Sequence, residues 1–91
     1  MIVFEEVSAV RIDWFRVIVD LERSTDAAGR RWSLERIADA MDRSKGWVSN
    51  LKTIPDTEPR FHDGLMLLGL WHSVTGKLAP DIPRIRERSG T

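Results

Sequence analysis

The stretch "IADAMDRSKGWVSNLK", residues 37–52, reads as one short helix, a tight turn and a second helix, and the rest of the chain is best placed around it. Ile37, Ala38 and Met41 fall on one helical face at about 100° per residue, and Trp47, Val48 and Leu51 do the same after the turn. Ala38 is the small residue that lets the second helix cross closely. Ser33 and Ser44 can each cap a helix that follows, Glu35 suits the positive end of the first dipole, and Ile54-Pro55 stops the second helix. Asp42 and Arg43 stand where such turns usually hold a glycine and an apolar residue; aspartate tolerates the left-handed backbone better than most residues, so the turn is still expected to form. Arg43 then either exposes that corner or offers a contact to phosphate.

Upstream, "AVRIDWFRVIVDLER", residues 9–23, predicts a first helix with Val10, Trp14, Val17, Ile18 and Leu21 on one face. Ile12, Phe15 and Val19 form a second apolar group on another side, which needs its own cover. That cover is the apolar stretch Ile2-Val3-Phe4 folded back as a short extended arm, the C-terminal tail, or a second copy of the chain, in which case Ile12, Phe15 and Val19 form the dimer interface. "STDAAGR" closes this helix. Downstream, "LMLLGLWHSVTG" predicts a fourth helix that buries Leu65, Leu68, Trp71 and Val74 and ends at Gly76. The tail "LAPDIPRIRERSGT" is expected to stay loose or to form one helical turn after Pro83. The whole reads as an all-α, compact domain of four to five helices at 1–78, with its bihelical motif at 33–53 and a basic, proline-containing tail at 79–91.

Ninety-one residues, 42% hydrophobic and 31% charged, suit one small folded domain with a modest core. Net charge is zero, which disfavours a generic polyanion binder and shifts attention to distribution. Residues 1–29 carry three arginines against six acids, residues 30–60 seven cations against five acids, and residues 61–91 four against three. The basic excess thus falls on the motif and the tail. With no cysteine, neither a disulfide framework nor a thiolate metal site exists. No apolar run reaches the roughly 20 residues of a membrane span, and the chain starts without a signal-peptide pattern, so the cytoplasm is the expected location.

The run "SLERIADAMDRSKGWVSNLK" resembles the helix-turn-helix of repressor-type DNA-binding proteins. With "DWFRVIVDLER" before it and "EPRFHDGLMLLGLWHSVTG" after it, the likeness extends over about residues 13–76 to the small helix-turn-helix proteins of bacteriophage and prophage genomes. This resemblance implies a bacterial cytoplasmic regulator whose second motif helix lies in the major groove of double-stranded DNA. Carried onto this chain, Ser44, Lys45, Gly46, Ser49, Asn50 and Thr53 occupy recognition-helix positions, and Arg43 and Lys52 flank them. Lysine favours guanine acceptors and asparagine favours adenine. One such module is small, so a homodimer on a two-part site is expected.

Other arginines, namely Arg30, Arg31, Arg36 and Arg60, are further candidates for phosphate contact, while Arg84, Arg86 and Arg88 form either a frayed, solvated tail or an arm that reaches a minor groove. The tryptophans invite a stacking role on unpaired bases, yet Trp14, Trp47 and Trp71 share faces with Leu and Val, which assigns them to the core. His62 and His72 lie ten residues apart and are expected on different elements, so they do not suggest a metal pair, and no nucleophile stands beside a base. No cofactor, metal or catalytic site is therefore expected. The rival reading is a protein-binding module or inhibitor of the same fold, acting on a host or phage protein; neutral charge, the acidic first third and the Ile12, Phe15 and Val19 group favour it. A packaging or recombination accessory factor is a further DNA-binding alternative.

Overall fold

The computed structural model describes residues 10–86. The expected arm at residues 2–4 and the residue Arg88 lie outside that range. Strand β1 (Val10–Ile12) is followed by helices α1 (Trp14–Glu22), α2 (Leu34–Met41), α3 (Lys45–Thr53) and α4 (Phe61–Thr75). A 3-10 turn (Ala79–Asp81) and strand β2 (Arg84–Arg86) complete the described chain.

The fold is mostly helical, with a two-stranded antiparallel sheet in which Arg11 sits opposite Ile85. This departs from the expected helix over residues 9–23 and from the expected loose or helical tail. Asp13 provides the reason: its carboxylate accepts the N–H of Arg16 at 3.1 Å and starts α1 at Trp14. Its own N–H donates to the Pro83 carbonyl at 2.9 Å, which carries the pairing of the two chain ends to the edge of α1. Ile12 consequently lies on a strand and not on the helix that holds Phe15 and Val19.

The core joins Val17, Ile18 and Leu21 of α1, Ile37, Ala38 and Met41 of α2, Val48 and Leu51 of α3, and Leu67 and Trp71 of α4. The faces of α1, α2 and α3 agree with their sequence periodicity. Helix α4 is longer than expected, so that His62 and His72 share it where different elements were expected, and it is rotated: Leu67 is fully buried while Leu65 is 53% exposed. A run as uniformly apolar as "LMLLGLW" offers no preferred face, so tertiary contacts choose one. Gly64 marks the choice, because a Cβ there would meet the Trp14 ring at 3.3 Å. Trp14, Trp32 and Trp47 are half-buried and pack on the core, and Trp71 is 1% exposed.

Gly69, also in α4, is exposed, with no heavy atom within 4 Å of a built Cβ. Gly69→Ala therefore reduces the entropy lost on folding without a steric cost. It is expected to raise stability by about 0.5–1 kcal/mol, seen as a higher urea midpoint at unchanged slope.

Candidate nucleic-acid interface

The turn between α2 and α3 is closed by backbone geometry. Asp42 adopts φ 55° and ψ 44°, the left-handed conformation that ends α2. The Arg43 N–H donates to the Ala38 carbonyl at 2.9 Å and the Asp42 N–H to that of Asp39 at 3.2 Å, the paired bonds of a Schellman ending. Ser44 then accepts the Trp47 N–H on its Oγ at 3.1 Å and starts α3. Aspartate thus fills the usual glycine position of the turn.

With Val48 and Leu51 inward, α3 turns Lys45, Gly46, Asn50 and Thr53 to solvent, and Ser49 is half-buried. Asn50 makes no side-chain hydrogen bond among the described residues, leaving its amide free to bond an external partner. At Gly46 a Cβ would meet only Ser44 Oγ, at 3.8 Å, so the fold does not require a glycine there and the bare backbone faces outward. Thr53 Oγ1 donates back to the Ser49 carbonyl at 2.8 Å.

The cations of this region divide by partner. Lys45 Nζ lies 3.5 Å from Glu35, with both side chains more than half exposed; such a pair is weak and open to exchange. Lys52 Nζ lies 2.7 Å from Glu22 and ties α3 to α1. Arg43, offered by the sequence as an exposed corner or a phosphate contact, reaches Asp63 of α4 instead. Its Nη2 donates to both carboxylate oxygens, at 2.7 and 2.8 Å. Asp63 is only 7% exposed in its side chain, and the Arg43 guanidinium also lies 5.7 Å from the centroid of the Trp47 ring. The arginine does under this turn what an apolar residue commonly does: it fastens the corner to the next helix.

Asp63 and Asp20 are important residues that sequence reading passed over. Asp20, 8% exposed, accepts the Trp71 Nε1–H at 3.1 Å and the Arg16 Nε–H at 3.3 Å, with Lys77 Nζ at 3.6 Å. An acid beside buried Leu21 and three residues after buried Val17 is the signal that exposes such a group. For Asp63 the signal is only its place before Gly64 on an otherwise apolar helix.

Between α1 and α2 the chain makes a compact hairpin around Asp26. The Asp26 carboxylate accepts the N–H groups of Ala28 and Arg30, each at 2.9 Å, and its other oxygen lies 3.0 Å from Arg36. The bond from the Arg30 N–H, followed by that from Ala28 and the charges of Arg36 and Arg30, outweighs desolvation and holds this carboxyl below its ordinary range.

Elsewhere Ile12 and Phe15, two of the three proposed interface residues, line one groove with Leu51, Ile54 and Ile85. Val19 is half-buried and does not line it. A neighbouring apolar groove of about 330 Å³ runs between Ile12, Trp14, Pro59, Phe61, Leu65 and Leu68. Among the described residues no His, Asp or Glu cluster suits a metal ion, and no helix is long and apolar enough to cross a membrane. Comparison with known proteins yields no matching family model, no significant match among curated proteins and none among solved structures.

Proposed function

We propose that this chain is a helix-turn-helix protein that binds double-stranded DNA as a transcriptional regulator of the phage type, with α3 in the major groove. The observation that carries the reading is the α2–turn–α3 unit. Asp42 closes its turn, Val48 and Leu51 anchor its second helix, and Lys45, Gly46, Ser49 and Asn50 form a short polar face with a free amide. Lys45 and Asn50 approach base edges, Ser44 and Thr53 border them, and Lys45 exchanges Glu35 for the nucleic acid. Arg43 and Lys52 support this face through Asp63 and Glu22. A symmetric homodimer on a two-part site is part of the proposal.

The test is selection of duplexes from a random pool, followed by titration of the selected duplex across a salt series. Binding is expected to weaken as salt rises, and Lys45→Ala with Asn50→Ala to weaken it by about 100-fold while relaxing the sequence preference. No binding at low salt, or an unchanged affinity in the double variant, sinks the reading. Sedimentation of the free and DNA-bound protein reports the dimer.

The second reading, a protein-binding module, is favoured by one observation. Phe61 is 82% exposed at the mouth of the apolar groove that it forms with Leu65 and Trp14. Exposed aromatic anchors beside a pocket are what protein interfaces use.

A further inference from the structure

The cations offered by the sequence as phosphate contacts are sorted by the fold. Arg36, Arg43 and Lys52 are held by Asp26, Asp63 and Glu22. Arg60 is exposed at the start of α4, and Arg30 and Arg31 remain outward on the hairpin that leads into α2. Arg31 is exposed and has no ion pair among the described residues. Arg30 is 79% exposed, and its Nε lies 3.7 Å from Asp26, too far for a firm hydrogen bond.

This hairpin is ordered by many bonds for so short a segment. Thr25 and Arg31 form an isolated antiparallel bridge, the Asp26 N–H donates to the Arg30 carbonyl at 2.8 Å, and the Gly29 N–H donates to the Asp26 carbonyl at 2.9 Å. Gly29, at φ 79°, makes the reversal. Arg36 locks the base of the hairpin from α2. It stacks 4.3 Å above the centroid of the Trp32 ring, meets Asp26, and donates to the Arg31 carbonyl at 3.0 Å. Arg36 also compensates the Asp26 charge, so the hairpin presents Arg30 and Arg31 as excess positive charge.

Position links the hairpin to the groove-facing helix. The contact of Lys45 with Glu35 sets the first turn of α2 beside the first turn of α3, and the hairpin enters α2 two residues before Glu35, through Ser33. We propose that the Thr25–Arg31 hairpin is a second, preformed contact to duplex DNA, in which Arg31 and Arg30 grip phosphates flanking the groove occupied by α3. The inference rests on the DNA-binding reading above. Guanidinium forks match phosphate oxygens, and a segment already ordered in the free protein loses little entropy on binding.

The experiment titrates the selected duplex across a salt series with the full chain, in wild type, Arg31→Gln, Arg30→Gln with Arg31→Gln, and Asp26→Ala. Arg31→Gln is expected to weaken binding about tenfold, equally for all sequences, and to lower the salt slope by about one; the double variant loses more of both. Asp26→Ala separates preorganisation from charge. Removing an acid tightens binding to a polyanion by simple electrostatics, whereas loss of the hairpin weakens it, and several-fold weakening is the expected result. Circular dichroism on each variant checks that the fold persists, and the arginine variants, which remove no internal hydrogen bond of the core, decide the matter if Asp26→Ala unfolds. Unchanged affinity and slope in the double arginine variant overturn the inference while the DNA reading stands, as does tighter binding by folded Asp26→Ala. No binding by wild type overturns the DNA reading, and this inference with it.

Discussion

Trp71→Ala is expected to remove about half of the protein's stability. Trp71 is among the largest fully buried side chains, it sits in the core cluster where α4 meets α1 and α2, and its indole N–H is the buried donor to Asp20. Truncating a buried tryptophan to alanine costs about 3–5 kcal/mol through lost transfer energy and the cavity left behind. A domain of this size has a total stability of roughly 5–10 kcal/mol, so about half of it disappears, read as a large drop in the urea midpoint. Trp71→Phe keeps an aromatic ring in the core and removes only the donor and part of the volume. Asp20 then retains Arg16 and Lys77, and the expected loss is about 1–2 kcal/mol. In a thermal melt followed by circular dichroism this lowers the midpoint by roughly 5–15 °C. Equal losses in the two variants would show that the Asp20 hydrogen bond, and not the ring, carries the effect.

Arg43→Ala is expected to destabilise the fold by about 2–3 kcal/mol and to change little the salt slope of the DNA binding proposed above. The larger penalty of a fully buried pair does not apply, because the arginine side chain is 44% exposed; the cost comes from stranding Asp63, whose side chain is 7% exposed, without its donor. A guanidinium neutralised by an internal carboxylate releases few counterions from DNA, which is why stability and salt dependence separate here. Replacing both partners, Arg43→Leu with Asp63→Leu, is expected to recover most of the loss, since no charge is then left buried alone. The urea midpoint measures the first effect, and the salt series the second. A reduced salt slope with unchanged stability would instead make Arg43 a phosphate contact.

Much of the helical framework was legible in the chain. Ser33 and Ser44 cap the helices they were expected to cap, Asp42 takes the left-handed turn, and the apolar spacing of α1, α2 and α3 marks the faces that enter the core. Capping, turn chemistry and amphipathic period are local, each set by residues within a few positions, so periodicity and residue type suffice to read them. The outward residues of α3 follow from the same period, because fixing Val48 and Leu51 inward leaves Lys45, Gly46 and Asn50 outside.

What depended on residues far apart in sequence was hidden. The strand pairing of Arg11 with Ile85 brings together ends that show no alternating pattern of their own, and three-residue strands are too short to signal themselves by period. The buried face of α4 was undetermined by a run that is apolar on all sides. Above all, the roles of the charged residues were open: side-chain type shows that Arg36, Arg43 and Lys52 are cations, but only the fold sets Asp26, Asp63 and Glu22 beside them. Coulombic partners are chosen by distance in space, and a solvated arginine and one tied to a buried carboxylate look identical along the chain. The sequence by itself therefore determined where the helices of the α2–turn–α3 unit begin, end and face. The tertiary structure decided which cations of the chain hold the protein together and which, like Arg31, are left to meet something else.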